Sequence, residues 1–405
     1  MFNRIRNVGP GALVTAAFIG PGTVTACTLA GANFGYALLW ALLFATVATV
    51  ILQEMSARLG TVAQQGLGET LAGLFQDTPW KWPLILLVGL ALYLGNSAYE
   101  AGNISGAALG LGAIAGGSDT AFKLSVAAIA LSAAALLLAG SYRQIERVLI
   151  ALVLVMAIAF VATFAIVRPD FAALFGGLFI PSIPDGSLMT VVALIGTTVV
   201  PYNLFLHASA AKSRWSGEED LQAARADTGI AIGLGGLIAV LIVSTASASL
   251  FVAGLKVENA ADMATQFEPL FGEASSLLLG IGLFAAGLSS AITAPLATAY
   301  AMTEILRVGG DEKTLWFRAI ALSVILIGAG IALTGAKPIT IILTAQFANG
   351  LLLPIVAIFL LYVMNRAEVL GQHTNSKFAN ALGLAVVAIA AGLGLRSILT
   401  VAGAL

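Results

Sequence analysis

The chain has 405 residues, of which 59% are apolar and 10% charged, with a mean hydropathy of +0.99; soluble domains carry roughly 25% charged residues, so this composition points to a membrane protein. Eleven crossings of about 22 residues would occupy about 60% of the chain, which leaves no soluble second domain and makes 1–405 a single transmembrane unit. The net charge of −1 offers no electrostatic footprint for nucleic acid, and one cysteine with two distant histidines supports no His/Cys metal cluster.

In chain order, the amino end MFNRIRNVGPGALV lacks the apolar run and cleavage site of a signal peptide. Spanning runs follow at about Gly11 to Gly31, Gly35 to Leu59, Pro83 to Leu109, Leu124 to Leu138 and Ile145 to Val167. Six more lie near Leu188 to Ala211, Gly229 to Leu255, Ser275 to Leu306, Trp316 to Thr334, Ile339 to Val363 and Ala379 to Ala404. With the amino terminus inside, fourteen of the nineteen Lys and Arg residues fall on the inner side and four outside, with Arg396 within the last span. That asymmetry supports eleven spans and a cytoplasmic amino terminus. Lys212 to Asp227 is then a cytoplasmic connection and Arg168 to Gly186 an outer loop.

Two spans carry breaks. The first holds Gly20-Pro21-Gly22-Thr23 and the sixth Val200-Pro201-Tyr202. Proline removes a backbone donor and clashes with the preceding turn, so Gly20 to Gly22 should be non-helical, with half-helices beginning just after Gly22 and Pro201. Unwound backbone at membrane depth is tolerated only beside protein or a wet cavity. Matching breaks about 180 residues apart, each opening a five-helix set, form the pattern of an inverted-repeat transporter with its substrate site between them. The repeats would cover about 11–167 and 188–363, with an extra helix at about 379–404.

These residues resemble the Nramp family of divalent-metal transporters. GPGTVTACTLAGANFGYALLWALLFATVATVILQEMSARLGTVAQ follows the family's first two helices, and SYRQIERVL, GTTVVPYNLFLHAS, FEPLFG and AAGLSSAIT follow in family order. The resemblance implies an all-α integral membrane protein of LeuT type, with five plus five helices in inverted repeat, broken helices 1 and 6, and eleven spans in all. Where the family has Asp-Pro-Gly-Asn this chain has Gly20-Pro21-Gly22-Thr23, and where it has Met-Pro-His this chain has Val200-Pro201-Tyr202. Carboxylate, amide and thioether ligands are all replaced, and Thr197 matches a position whose carbonyl serves the metal.

Divalent cations need anionic or strongly coordinating ligands, whereas helix amino ends with hydroxyl donors favour an anion. The expected substrate is therefore a small oxyanion, bicarbonate foremost, held by Gly20, Pro21, Gly22, Thr23, Thr197, Val200, Pro201 and Tyr202, with Gln346 closing over it. The alternative keeps the family's usual cargo, Mn²⁺ or Mg²⁺, in a remodelled site; a membrane sensor is a further alternative. No enzyme is expected, since HExxH, GxSxG and paired carboxylates are missing from the spans. Coupling candidates are Glu100 and His207 for protons, and Ser289, Ser290 and Thr293 for sodium, whose hydroxyls could lie beside the first break. Asn103 and Asn349 are expected to bond between helices, and Gly102, Gly106 and Gly110 to form a packing ridge. No metal, cofactor or protein partner is expected apart from a coupling Na⁺ or H⁺; the surroundings are the lipid bilayer of an inner, plasma membrane.

Overall fold

The computed structural model describes residues 20–139, 143–308 and 312–403, and the regular elements among them are all helical. In lipid this is the arrangement that satisfies each segment's own N–H and C=O groups. The principal helices are α1 (Pro21–Phe34), α2 (Leu39–Arg58), α3 (Leu67–Leu74), α4 (Lys81–Ala115), α5 (Asp119–Ala139), α6 (Arg143–Val167) and α7 (Phe171–Phe179). They are followed by α8 (Leu188–Thr198), α9 (Pro201–Arg214), α10 (Leu221–Ala246), α11 (Ser275–Leu306), α12 (Leu315–Ala332), α13 (Pro338–Met364) and α14 (Lys377–Val401). Ten stretches among the described residues are long and apolar enough to cross a bilayer, α8 and α9 together making one of them. Of the expected first span, α1 is the described part, and 11–19 lie outside the described residues.

Proline opens α1, α9 and α13 at the first helical position, where its missing N–H costs no intrahelical bond. The long α4 is the hub, with α11, α12 and α13 laid along it. Its glycines permit the approach: Gly102 faces Ala345 of α13, Gly106 receives the ring of Pro21, and Gly110 lies against the Gly280 carbonyl of α11. The expected ridge is therefore real, and it touches three different helices. Cys27 is buried as a small packing residue.

Three expectations change. The outer loop from Arg168 to Gly186 contains a helix, α7, because Asp170 caps it by accepting from the amides of Ala172 and Ala173 at 2.9 and 3.0 Å. The connection from Lys212 to Asp227 is shorter than expected, since α10 starts at Leu221, where Arg225 projects back to Glu54 of α2 at 2.8 Å. A polar sequence can continue a helix beyond the bilayer, and hydropathy alone places that end too late. Asn103 does not bond between helices: its amide donates to Glu100 Oε2, three residues earlier on α4, at 3.2 Å.

At the Arg-rich end of the bundle, Arg58 donates to the His373 carbonyl at 2.9 Å and to Asn375 Oδ1 at 2.6 Å. This ties α2 to the segment that enters α14.

Candidate functional site

The break in the second half is visible directly. α8 stops at Thr198; Val199 (φ −98°, ψ 76°) and Val200 (φ −78°, ψ 121°) are non-helical; α9 restarts at Pro201. At the other break Gly20 is extended (φ −102°, ψ −176°) and α1 begins at Pro21. The expectation of a non-helical Gly20 to Gly22 thus holds for Gly20 only. Pro21 and Gly22 form the first turn, because a proline at the first position has the φ a helix needs. Both half-helices accordingly start at their prolines, not after Gly22.

Helix geometry leaves the amides of the first turn without intrahelical acceptors. The carbonyl of Gly20 accepts from Thr23 and Val24, and that of Val200 from Asn203. The second-position amides, those of Gly22 and Tyr202, are the ones this geometry leaves over.

The two breaks meet. Thr23 Oγ1 lies 2.8 Å from Thr197 Oγ1, a buried hydrogen bond from α1 to α8. Tyr202 is fully buried, and its ring meets that of Tyr99 of α4 edge-on, with centroids 5.7 Å apart. A methyl group built on Gly20 would lie 3.2 Å from Ser290 Oγ of α11 and 3.6 Å from the Tyr99 hydroxyl. One built on Gly22 would overlap the side-chain amide of Gln346, which α13 delivers onto that first turn. Both amide atoms of Gln346 are buried and have no hydrogen-bond partner among the described residues, and the same holds for Asn203, next to Tyr202. A buried amide without partners costs about 1–3 kcal/mol, so these groups are poised for a polar guest. The side chains gathered at the breaks are hydroxyls, phenols and amides, with Val200 and Pro201 as buried apolar wall.

Of the coupling candidates, Ser290 stands against Gly20, while Ser289 is half-buried and its carbonyl accepts from Thr293 at 3.0 Å. Glu100 is fully buried on the side of α4 that faces Gly328 of α12, and its Oε1 has no partner among the described residues. His207 lies on α9, its Nδ1 2.8 Å from Gln53 Oε1 of α2. Glu100 and His207 therefore contact different helices rather than each other's partners.

Sequence reasoning missed Tyr99, Asn203, Gln53 and Glu304. Ser209 of α9 donates to Glu304 Oε1 of α11 at 2.7 Å, and Gly66 and Gly68 press their backbone on the same carboxylate. Glu304 stands in an apolar helix end, and an intramembrane acid is a signal that could have found it; the others become visible only when helices are paired.

Removing the Thr23 hydroxyl deprives the buried Thr197 hydroxyl of its bond across the breaks. Expected result: Thr23→Val lowers the melting temperature in detergent and cuts transport about tenfold, and adding Thr197→Val costs little more, because substitutions on one bond are non-additive. Tryptophan-fluorescence melting and flux on Thr23→Val, Thr197→Val and the double variant check this.

Comparison with known proteins yields a consistent set. The family model for natural resistance-associated macrophage protein-like (Nramp) sequences matches residues 11–400. The chain is 28% identical over 395 residues to a divalent metal cation transporter, MntH, of Klebsiella pneumoniae, covering 95% of this chain and 92% of that protein. It is 29% identical over 404 residues to the MntH of Yersinia pestis, covering 95% and 93%. Among solved structures, the Eremococcus coleocola manganese transporter superposes with a TM-score of 0.74 at 23% identity, over 98% of this chain and 87% of that one. MhsT in complex with L-phenylalanine superposes with a TM-score of 0.62 at 16% identity, over 96% of this chain and 97% of that one. The last two likenesses concern the fold, which is the LeuT-type arrangement that the family resemblance implied.

Proposed function

The chain belongs to the Nramp family of multi-pass membrane transporters, and from that premise we propose that it moves a small inorganic ion by alternating access around the paired breaks, with a small oxyanion such as bicarbonate as cargo. One observation supports this reading above the rest. The groups converging on the breaks are Thr23, Thr197, Tyr99, Tyr202, Ser290 and the Gln346 amide, neutral donors set at two helix amino ends. Helix amino ends attract negative charge, and hydroxyl and amide N–H groups can donate to several oxygens at once. Stripping water from a divalent cation requires stronger ligands than these.

In this reading, Gly20 lets the guest approach the backbone, Thr23 and Tyr202 donate to it, Thr197 braces Thr23, and the Gln346 amide, packed on Gly22, flanks it. Val200 and Pro201 keep the space narrow. The protein sits in the plasma membrane with its amino terminus in the cytoplasm, as the distribution of basic residues supports. A negative interior opposes anion entry by about 2.3 kcal/mol per charge per 100 mV, so import needs coupling. Ser290 beside Gly20 favours Na⁺ for that role, and the buried Glu100 favours H⁺.

A second reading, divalent cation transport, is favoured by a specific observation: relatives that align over nearly the whole chain are divalent metal cation transporters. Proteoliposomes separate the two readings. Expected result: labelled bicarbonate accumulates when a Na⁺ or H⁺ gradient is imposed, and radio-manganese does not. Manganese uptake without bicarbonate uptake establishes the cation reading instead.

A further inference from the structure

At the end of the bundle where Arg58, Arg225 and Arg366 gather, a shallow open crevice lies between α3, α4, α11 and α13, and none of its lining residues belongs to the breaks. Its walls are apolar, from Leu71, Phe75, Leu84, Ile85 and Phe359, and the one charged residue among its lining residues is Lys81. Two features fix its level in the membrane. Trp80 and Trp82 flank Lys81 and are 64% and 67% exposed, the placement of tryptophans at a headgroup boundary. Beyond them Leu86, Leu87 and Leu90 of α4 are exposed, as a surface in contact with hydrocarbon would be.

Lys81 lines the crevice, and two further cations lie near its walls. The Lys81 ammonium lies 5.4 Å from the Trp82 ring. Arg366 lies 4.0 Å over the ring of Tyr362, which itself stacks on Phe75 of the crevice wall at 5.2 Å. Arg307 reaches the far end of α3, bonding Gln76. The acids nearby are Asp77, which is exposed, Glu69, which Lys212 holds at 2.8 Å, and the largely buried Glu304, which accepts from Ser209 at 2.7 Å. A short greasy slot with a positive rim at the headgroup level complements an anionic amphiphile, in the way basic pockets between helices hold acidic lipid headgroups.

We propose that this crevice binds an anionic phospholipid of the inner leaflet, one acyl chain lying between Leu84 and Phe359 and the phosphate facing Lys81. The bound chain also braces α3, whose Gly66 and Gly68 abut Glu304 and, through it, Ser209 of α9.

Native mass spectrometry of the full-length protein, delipidated in detergent and supplied with phosphatidylglycerol or phosphatidylcholine, tests this. Expected result: phosphatidylglycerol is retained in preference to phosphatidylcholine; Lys81→Ala weakens its binding about fivefold, the scale of one basic contact at a membrane surface; Lys81→Arg preserves it. Leu84→Trp, which fills the slot and leaves Lys81 in place, abolishes retention while the melting curve shows the protein folded. Equal retention of the two lipids overturns the proposal, as does retention of neither. Retention unchanged in both Lys81→Ala and Leu84→Trp overturns it too, and so does displacement by millimolar inorganic phosphate, which would mark a headgroup-only site.

Discussion

Gly20→Asp combined with Thr23→Asn is expected to reduce bicarbonate flux to background and to create measurable Mn²⁺ binding. The position is sterically permissive: a Cβ at Gly20 meets the Ser290 hydroxyl at 3.2 Å and the Tyr99 hydroxyl at 3.6 Å, so neighbours yield by a few tenths of an ångström. Both hydroxyls are able to donate to the new carboxylate. The decisive effect is electrostatic. A carboxylate about 4 Å from a bound anion is unfavourable by about 4 kcal/mol at an effective dielectric near 20, equal to roughly three decades in affinity at about 1.4 kcal/mol per decade. The same charge, with the amide oxygen that Thr23→Asn introduces, supplies the hard donors a divalent cation requires. Gly20→Asn separates charge from bulk, since it fills the same space and carries no charge. It should retain a substantial part of the flux that the double variant loses. Flux in proteoliposomes and calorimetry with Mn²⁺ give the readout. A double variant that still carries bicarbonate and binds no manganese would remove the electrostatic basis of the anion reading.

The meeting of the two breaks was legible because prolines declare themselves. Pro21 and Pro201 each had to begin a helix or break one, and equivalent placement in two halves pointed to one shared site, where the Thr23–Thr197 bond joins the two breaks. The exact extent of the unwinding was not legible. A proline flanked by glycines reads as a break on both sides, yet the proline's fixed φ suits a first helical turn, and among Gly20, Pro21 and Gly22 it is Gly20 that departs from the helix. Pair partners were the least accessible. Gln53 sits on an apolar helix like any polar residue, and its contact with His207 depends on α2 crossing α9. Asn103 was expected to reach another helix, yet found Glu100 on its own, three residues away, where neighbouring side chains on a helix meet. The hydrophilic stretch before α10 misled in the opposite direction, since hydropathy reports the membrane and not the helix.

Gly196→Ala is expected to destabilise the protein and nearly abolish transport, against the ordinary trend. Alanine in a helix interior is better than glycine by about 1 kcal/mol, so on propensity alone the substitution in α8 should stabilise. Packing opposes this. A methyl group on Gly196 would overlap the Gln346 carbonyl oxygen and the Gly350 amide, both main-chain atoms of α13. No rotamer relieves such a clash, so α13 must shift, and overpacking of this kind costs about 1–3 kcal/mol or more. The shift carries Gln346 away from Gly22, which couples a packing defect to the site. Gly22→Ala gives the contrast: its methyl would overlap only the end of the Gln346 side chain, which can swing aside. That variant should keep its melting temperature while transport falls, and Gln346→Ala added to it should relieve the overlap without restoring the lost amide. Melting and flux, measured together, distinguish the two mechanisms. If Gly196→Ala melts higher than the parent and transports normally, α8 and α13 do not meet as closely as described, and the placement of Gln346 over the first turn of α1 falls with that contact.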